Sequence, residues 1–417
     1  MTHDAPPTKL DPGPTTPDPR PTTFPRTLFL DHAAVLGGAE LSLLDIARAA
    51  GPESVVALYA DGPFRDRLSE AGVAVEVLDA PQALLDVTRD GGLAGALGVV
   101  PAIGTQARRV AKRLRDFDVA LANSQKAFVT AALAAPLARR PVVWHLRDVM
   151  TADHFSRANR TVAITLANRF AAAVICNSQA TADAFVEAGG KPRLVRVVLN
   201  GIDAAPFDAV TVAQVAEAKA ELGLDERPIV GVFSRLAPWK GQHVLLDALA
   251  GTNGSPGLPD VQALVVGDAI FPEDRAYAET LRARAATPAL AGRVTFAGFR
   301  DDVPVLLHCC DIVAHTSVAA EPFGRVIVEG MLAERAVVAT AAGGAVEILT
   351  DAPDDSATGR LVPPGDAAAL RTALAALLAD PSRTRTMAAA ARTDAETRFG
   401  TDRVAREVAE VLREAVA

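Results

Sequence analysis

The chain has 417 residues, of which 50% are hydrophobic and 22% are charged, and its formal net charge is −8. This length exceeds one ordinary domain and suits two domains of about 150–200 residues each. The acidic balance disfavours a general nucleic-acid binder, and an aromatic content of 5% disfavours a sugar-binding platform of stacked rings. Three cysteines, Cys176, Cys309 and Cys310, form neither a disulfide framework nor a zinc motif, so we expect a reduced, cytoplasmic protein.

The first 26 residues, MTHDAPPTKLDPGPTTPDPRPTTFPR, are rich in proline and threonine. Proline interrupts helices and cannot donate to a sheet, and the segment has little apolar surface to bury. We therefore expect a disordered tail at 1–26, without the apolar centre of a secretory signal. The most apolar stretch, 91–104, is interrupted by a proline and is shorter than the ~20 residues that span a bilayer, so we predict no membrane-spanning helix.

Short apolar runs alternate with helical periods from residue 27 onward, which is typical of parallel β-α units. The segment VVLNGIDAAPFD (197–208) has turn signals and separates a first series of runs, such as TLFLDHA and PVVWHL, from a second series that begins with PIVGVFSRL. The pattern predicts an α/β protein with two doubly wound domains, at 27–200 and 201–390. Ligands of such sheets bind at the carboxyl ends of the strands. The remaining segment, 391–417, is predicted to be a helix, and we consider that it packs back against the first domain.

The segment AEPFGRVIVEGM follows the predicted strand DIVAHTS and leads into a helix at about Gly324. Glu321 lies in the loop and Glu329 lies on the helix. Ionised carboxylates accept hydrogen bonds at both oxygens, which suits the neighbouring hydroxyls of a sugar or a ribose. Phe323 and Gly324 present backbone N–H groups at the helix start, where anions bind. The alternative is one glutamate near a helix N-terminus and another on a solvated face.

A second segment, VFSRLAPWKGQHVLLDAL, places Arg235 after a strand and Lys240 at the start of a helix. A cation at a helix N-terminus opposes the helix dipole. The two cations are better explained when an anion such as a diphosphate lies between them and the backbone amides. The alternative is a pair of surface cations that pair with carboxylates.

A third segment, VLGGAELSLLDIA, contains Gly37 and Gly38 at the first strand-to-helix turn. Glycine permits positive φ and a close approach of the backbone to a ligand, and Glu40 suits the first helical turn. An ordinary tight turn is the alternative. The Gly-x-Gly-x-x-Gly pattern of dinucleotide sites is absent at this turn, so an NAD site is disfavoured.

Together the three segments resemble the retaining glycosyltransferases of family 4, whose GT-B fold has two Rossmann-like domains that face each other across a cleft. The resemblance covers roughly 27–417. It includes ICNS (175–178), NGID (200–203), GFRDDV (298–303) and GRLVPPGD (359–366), together with the paired glycines and AVEIL at 343–349. Each of these motifs is common, whereas their order and spacing are specific.

The resemblance implies that the co-substrate is a nucleoside-diphosphate sugar and that no other cofactor is needed. Arg235 and Lys240 would hold its diphosphate. Glu329 would accept hydrogen bonds from the ribose, and Glu321 would contact the transferred sugar next to the reacting carbon.

Backbone groups have further implied roles in the resemblance. Those of Phe323 and Gly324 would place the sugar and the phosphate, and Gly37 and Gly38 would close over the phosphates from the first domain.

The resemblance also implies roles for two other regions. The segment around Phe299 and Arg300 is similar to the one whose backbone contacts the nucleotide base. His145, at the end of PVVWHL, matches a histidine near the reacting sugar, although a histidine at a strand end taken alone is more often a satisfied polar residue.

The implied reaction transfers a sugar with retention to an acceptor hydroxyl, and we expect no metal. The single Asp-x-Asp, Asp116-Phe-Asp118, precedes a strand and is expected to close a helix. We favour an acceptor that enters from the face of the leaving group, since no carboxylate is assigned as a nucleophile. Two alternatives stay open, a sugar-nucleotide 2-epimerase and a non-catalytic nucleotide-sugar binder.

The acceptor is expected to be selected by the first domain and is not identified by the sequence. The segment ARRVAKRLRD (107–116) carries five basic residues after an apolar run. A basic helix of this kind binds anionic lipid, which predicts peripheral contact with the inner face of a membrane and a lipid-linked acceptor. The alternative is a solvated helix face.

Overall fold

The computed structural model describes residues 22–417 except 34, 36, 88–92, 152–154, 252–255 and 259, and of residues 93–97 it describes the backbone. The predicted disordered tail lies outside the described residues as far as residue 21.

The first sheet has seven parallel strands in the order β3-β2-β1-β4-β5-β6-β7. They are β1 Thr27–Asp31, β2 Val55–Leu58, β3 Val75–Val77, β4 Val119–Ala122, β5 Val142–Leu146, β6 Ala171–Cys176 and β7 Val195–Val197. The central strands are apolar throughout because helices cover both faces of the sheet. Phe29 of β1, for example, is fully buried and lies in register with Val56 and Leu121 on its two sides.

Within the described residues the chain forms seventeen α-helices, of which the first seven connect these strands. These seven are α1 Gly38–Ala50, α2 Pro63–Glu70, α3 Gln82–Leu85, α4 Leu93–Leu114, α5 Gln125–Ala138, α6 Arg157–Phe170 and α7 Gln179–Glu187. Trp144 of β5 stacks on Phe128 of α5 with ring centroids 4.3 Å apart. Successive residues of a strand face opposite sides, so Val143 packs toward α1 instead.

The second sheet has six parallel strands in the order β10-β9-β8-β11-β12-β13. They are β8 Ile229–Phe233, β9 Gln262–Val266, β10 Val294–Gly298, β11 Ile312–His315, β12 Ala336–Thr340 and β13 Arg360–Val362. The strand order turns back at β8 and β11, whose carboxyl ends flank the crevice where ligands of such sheets bind.

Ten further helices follow the first seven. They are α8 Ala205–Asp208, α9 Val212–Glu221, α10 Gln242–Ala250, α11 Arg275–Ala285, α12 Val303–Cys309, α13 Arg325–Leu332, α14 Ala345–Ile348, α15 Ala367–Ala379, α16 Pro381–Arg398 and α17 Thr401–Val416. The two sheets confirm the predicted two-domain α/β fold. Within the described part of the chain, none of the helices combines the length and the apolar character that a bilayer span requires.

The chain passes between the domains at two adjacent places. The backbone N–H of Ile202 donates to the carbonyl of Phe399 at 2.8 Å, so the two crossings lie side by side. Helix α16 packs on α13 and β12 of the second domain, whereas α17 packs on α1 and on β4, β5 and β6 of the first.

The domains also contact each other at the edge of the cleft. The carboxylate of Glu347, on α14, accepts from the backbone N–H groups of Gln179 and Ala180 at 2.7 and 2.8 Å. These two residues begin α7, so a side chain of the second domain occupies the N-terminus of a first-domain helix. Burial raises the pKa of Glu347, and the two backbone hydrogen bonds oppose that shift.

Candidate active site

An ion pair between a buried glutamate and a partly buried lysine lies at the carboxyl ends of β8 and β11. Lys240 ends the short turn Pro238–Lys240 after β8, and its Nζ lies 2.7 Å from Oε1 of Glu321. His315, the last residue of β11, contacts the same oxygen through Nε2 at 2.9 Å, and the Ser317 hydroxyl donates to it as well. Three donors therefore converge on one carboxylate oxygen.

The ionisation of Glu321 follows from these contacts. Burial alone would raise the pKa of this carboxyl, but the charges of Lys240 and His315 and their hydrogen bonds hold it well below its usual range. The carboxylate is therefore ionised at neutral pH. Its second oxygen, Oε2, has no hydrogen-bond partner within the described part of the protein.

Glycines fix the backbone around Glu321. The backbone N–H of Gly344 donates to the Glu321 carbonyl at 2.9 Å, and a Cβ at Gly343, whose φ is +61°, would overlap that carbonyl. Gly324 precedes α13 with φ +98°, a conformation that glycine adopts without strain. These residues bring the start of α13 next to the ion pair.

The side chain and the backbone of Phe323 differ in their accessibility. Its side chain is buried and packs edge-on against Phe399 with centroids 5.8 Å apart, so it belongs to the core. Only the backbone at this position is available for a ligand, which is the part of Phe323 that the sequence analysis singled out.

Glu329 lies one turn into α13 and pairs with Arg325, whose Nε is 2.7 Å from Oε1. Both side chains are partly buried, with exposed fractions of 15% and 20%. The pair has the i, i+4 spacing that places two residues on one helix face. Glu329 therefore presents its carboxylate beside an arginine that the sequence analysis did not select.

Arg235 lies near Lys240 but has its own partners. Its guanidinium is 3.5 Å from Asp274 and stacks over Phe271 at 4.6 Å. The Trp239 ring contacts both cations, with Lys240 Nζ at 4.2 Å and the Arg235 guanidinium at 6.0 Å from its centroid. The aromatic face attracts both cations and limits their orientations.

The loop after β10 presents an apolar side chain to solvent. Phe299 is 60% exposed, and the neighbouring strand β9 is followed by Ile270 and Phe271, which are also exposed. Arg300 instead pairs with Asp302 at 2.8 Å and Glu221 at 2.6 Å, so its side chain stabilises the loop. The geometry leaves backbone and Phe299, rather than the Arg300 side chain, accessible at this edge.

The paired glycines of the first domain lie at the start of α1. Gly37 has φ −144° and Gly38 is not in the positive-φ region, so the expectation that positive φ selects glycine here is wrong. Contacts within the protein do not demand glycine at these positions either, because a Cβ would meet only the flexible ends of side chains. A Cβ on Gly37 would lie 2.7 Å from Oε2 of Glu40, and one on Gly38 would lie 3.8 Å from Cδ of Arg325, across the cleft.

His145 is fully buried at the carboxyl end of β5. Neither ring nitrogen has a hydrogen-bond partner within the described ranges. Burial, and secondly the charge of Arg147, lower the pKa of His145 well below its usual value. The ring is therefore a neutral group with two unsatisfied nitrogens.

A polar cluster beside His145 was not found from the sequence. Asn123, which follows β4, donates from Nδ2 to Asp31 at 2.6 Å and accepts from Nε of Arg147 at 2.9 Å. Nη1 of Arg147 donates to Asn200 in the crossing between the domains. The members come from four separate segments, so no linear motif marks them.

Carboxylates and histidines do not gather into a metal site: among the described residues, no group of three or more His, Cys, Asp or Glu side chains is placed to hold a metal ion. Asp116 pairs with Arg113 at 2.8 Å, and Asp118 pairs with Arg26 at 2.9 Å. The two aspartates of the Asp-x-Asp sequence therefore each have a cation as partner.

Charged side chains and backbone of both domains meet at the cleft. Lys240, Glu321 and the start of α13 are brought together, Arg235 joins them through Trp239, and Gly38 meets Arg325 from the opposite domain. Two family models match the chain: "Glycosyl transferase 4-like domain" at 37–201 and "Glycosyl transferases group 1" at 214–394. The chain belongs to the group 1 glycosyltransferases.

Curated relatives of the chain are glycosyltransferases. It is 30% identical over 275 residues to the GDP-mannose-dependent alpha-(1-6)-phosphatidylinositol monomannoside mannosyltransferase of Mycolicibacterium smegmatis, covering 63% of this chain and 68% of the relative. It is 28% identical over 400 residues to the 2-deoxystreptamine N-acetyl-D-glucosaminyltransferase of Streptomyces fradiae, covering 89% of each chain. Other relatives are matched over 38% to 60% of their own length.

Among solved structures, the chain is similar to Anabaena Alr3699/HepE in complex with UDP and glucose. The TM-score is 0.82 and the identity is 40%, over 93% of this chain and 99% of that chain. The GT-B architecture expected from the sequence is therefore confirmed.

Proposed function

We propose that the protein is a retaining glycosyltransferase that moves a sugar from a nucleoside-diphosphate sugar to an acceptor hydroxyl, without a metal ion. The observation that carries the proposal is the Lys240–Glu321 pair at the start of α13, 2.7 Å apart. It places a fixed cation and an ionised carboxylate at the ligand-binding edge of the second sheet.

In the proposed reaction, the bond between the anomeric carbon and the diphosphate oxygen breaks, and negative charge develops on the leaving nucleoside diphosphate. Lys240 and Arg235 supply positive charge there before the reaction begins, so they stabilise the transition state without reorganisation. The acceptor oxygen bonds to the same face of the carbon, and its proton passes to the departing phosphate.

Glu321 has a different part in this proposal. Because three donors hold its Oε1, the side chain is fixed, and Oε2 is directed to accept from a sugar hydroxyl. An ionised carboxylate also stabilises positive charge that develops on the sugar ring. Glu329 accepts from the ribose, while Arg325 holds it in place.

UDP-glucose is the donor that we propose to test first. The protein from Anabaena, which shares 40% identity over 93% of this chain, was solved with UDP and glucose. The mannosyltransferase from M. smegmatis is GDP-mannose-dependent, so GDP-mannose is the competing donor.

The experiment measures nucleotide binding and product stereochemistry. Calorimetric titration with UDP, GDP and ADP identifies the base, and proton NMR of the product with the matching donor gives the anomeric configuration. We expect micromolar binding of one nucleotide and a product with the donor's configuration. Absence of binding, or an inverted product, would overturn the proposal, and an epimer formed from UDP-N-acetylglucosamine alone would replace it by an isomerase.

For the acceptor, we propose that the basic face of α4 contacts an anionic membrane. Arg108 and Lys112 on this helix are exposed, as is the apolar Val100 about two to three turns earlier on it. Leu137 of α5 is exposed beside Arg115, whose Nη2 donates to its carbonyl at 3.3 Å. Arg113 is instead paired with Glu76 and Asp116. Cations beside exposed apolar side chains are the composition that binds an anionic lipid surface.

Vesicle flotation tests this contact. The protein should float with vesicles of phosphatidylglycerol and phosphatidylcholine and not with phosphatidylcholine alone, and the double variant Arg108→Glu and Lys112→Glu should remain at the bottom. Arg385→Glu, on the exposed face of α16, is the matched control and should float as the wild type does. Equal behaviour with both vesicle types would contradict the membrane contact.

A further inference from the structure

Two arginines on opposite sides of the cleft have buried N–H groups that no described residue accepts. On the first-domain side, Nη2 of Arg147 has no partner, although Nε and Nη1 donate to Asn123 and Asn200. On the second-domain side, Nη1 of Arg325 has no partner, although Nε donates to Glu329. Unsatisfied buried donors are rare, so each needs an explanation.

Arg147 is a buried cation whose direct partners are neutral. Its exposed fraction is 8%, and both hydrogen bonds go to amide oxygens rather than to a carboxylate. Burial lowers the pKa of Arg147 to about 9, against the opposing charges of Asp31 and Glu40. Buried charges are normally paired, but no carboxylate among the described residues contacts this guanidinium.

Three carboxylates, those of Asp31, Glu40 and Asp45, act on Arg147 through their charge, and none of them is hydrogen-bonded to its guanidinium. Burial raises the pKa of Asp45 to about 6, against the charge of Arg325, so Asp45 is mostly ionised at pH 7 and offsets part of the charge of both arginines from a distance. Asp31 accepts from the backbone of His32 and Ala33 at Oδ1 and from Asn123 at Oδ2, which occupies both of its oxygens. Burial, and secondly the charge of Asp31, raise the pKa of Glu40 to about 8, so Glu40 is mostly neutral at pH 7.

The two arginines are close enough to repel each other. The charge of Arg325 contributes to the lowered pKa of Arg147, and Gly38 at the start of α1 lies beside the Arg325 side chain. An anion between the two guanidinium groups accepts from the open N–H groups and removes the repulsion. Guanidinium groups suit carboxylate and phosphate because their N–H groups match the spacing of the anion's oxygens.

We propose that Arg147 and Arg325 hold an anionic group of the acceptor, a carboxylate or a phosphate, between the two domains. This inference rests on the proposed function and names the chemical class of its acceptor, an acidic sugar or a sugar phosphate. The acceptor is assigned to this subsite rather than the donor because Arg235 and Lys240 already serve the diphosphate from the second domain. Arg147 is held by residues of the first domain and of the crossing, two positions beyond His145.

The test uses inorganic phosphate and glucuronate as probes on the full chain saturated with UDP, so that the diphosphate site is filled. Binding is measured as the rise in melting temperature caused by each probe and by calorimetry, with glucose as the neutral comparison. We expect phosphate and glucuronate to bind at least tenfold more tightly than glucose. Arg147→Gln and, independently, Arg325→Gln should remove that difference, whereas the exposed Arg385→Gln should keep it.

The affinity for UDP separates this subsite from the donor site. Arg147→Gln should leave the UDP dissociation constant within about twofold of the wild type. A tenfold loss of UDP affinity would assign Arg147 to the donor and overturn the proposal, as would equal binding of glucose and glucuronate or no binding of either probe. Should Arg147→Gln fail to fold, Arg147→Lys, which loses the paired N–H groups of the guanidinium, replaces it in both measurements. Arg325→Gln then replaces it in the probe measurement alone, because Arg325 also holds Glu329. If the wild type fails to bind any nucleotide, the proposed function itself has failed instead.

Discussion

The two sides of the cleft differ in how their polar groups are satisfied. On the second-domain side, Glu321 receives hydrogen bonds from Lys240, His315 and Ser317, and the charges balance within the protein. On the first-domain side, His145 and Arg147 are as deeply buried but have nitrogens without partners in the described structure. The Lys240–Glu321 pair is thus satisfied within the protein. Nδ1 of His315 and Nη1 of Arg325 on the same side have no partner among the described residues, and on the first-domain side this holds for both ring nitrogens of His145 and for Nη2 of Arg147.

This difference has an energetic meaning. A buried donor left without an acceptor costs about 1–3 kcal/mol, and natural proteins retain few such groups. The second-domain side, where Lys240, His315 and Ser317 are hydrogen-bonded to Glu321, is called the connected side here. It fixes the position of charge before the donor arrives, and this arrangement lowers a transition-state barrier. The nitrogens without partners on the first-domain side keep binding free energy available for a second substrate.

The largest predicted effect comes from breaking the connected side. Lys240→Ala and Arg235→Ala should each lower kcat by about 10²–10³, because each removes a charge that stabilises the leaving diphosphate. Steady-state kinetics with the donor identified by nucleotide titration measure the change. Lys219→Ala on α9 and Arg385→Ala on α16 are the matched controls and should keep the wild-type rate.

Unchanged rates in both variants would show that the Lys240–Glu321 pair is structural. In that case the connected side of the cleft would not be the donor side, and the comparison between the two sides would lose its functional meaning.

The sequence allowed the second-domain side to be predicted better than the first. Arg235, Lys240 and Glu321 lie directly after strands of one sheet, so linear position alone predicts that they meet at one edge. The sequence analysis did not select His315 and Ser317, because a histidine and a serine at a strand end are common. Only their convergence on Glu321 distinguishes them.

The first-domain cluster is not predictable in the same way. Asn123, Arg147 and Asn200 are far apart in the chain and meet only because β1, β4 and β5 are neighbours and the crossing returns past them. The backbone conformation of Gly37 was not predictable either, since its φ of −144° is one that other residues also adopt. Sequence patterns fix which strand a residue follows, whereas contacts between segments depend on strand order and side-chain packing.

A smaller effect is expected on the stability of the protein in acid, through the carboxylate of Glu321. The pKa of Glu321 lies below its unfolded value, so the stability that this carboxylate contributes is fully present above about pH 4.5 and is lost as the pH falls toward the folded pKa. Glu321→Gln should be less stable than the wild type at pH 7 by about 1.5–3 kcal/mol, the value of a hydrogen bond to a charged group. Denaturant unfolding between pH 3 and 7 should show that this gap narrows below pH 4.5, and a constant gap would contradict the assigned ionisation.

The smallest predicted effect concerns Glu40 on the first-domain side of the cleft. Its pKa is raised whereas that of Glu321 is lowered, so the pH dependence of stability has the opposite sign. Burial and Asp31 raise the pKa of Glu40 from 4.5 to about 8, with Arg147 and Asp148 the other charges that face it. The folded protein therefore holds a proton that the unfolded chain has lost, and wild-type stability falls as the pH rises from about 4.5 to 8. Glu40→Gln lacks that slope, so its free energy of unfolding should rise relative to that of the wild type between pH 5 and 8, by on the order of 1 kcal/mol at pH 8. Denaturant unfolding at each pH measures the difference. The control variant Glu410→Gln changes an exposed glutamate, and its stability should follow that of the wild type at every pH. If the stability of Glu40→Gln and that of the wild type change with pH in parallel, Glu40 is already ionised and supplies a counter-charge to Arg147.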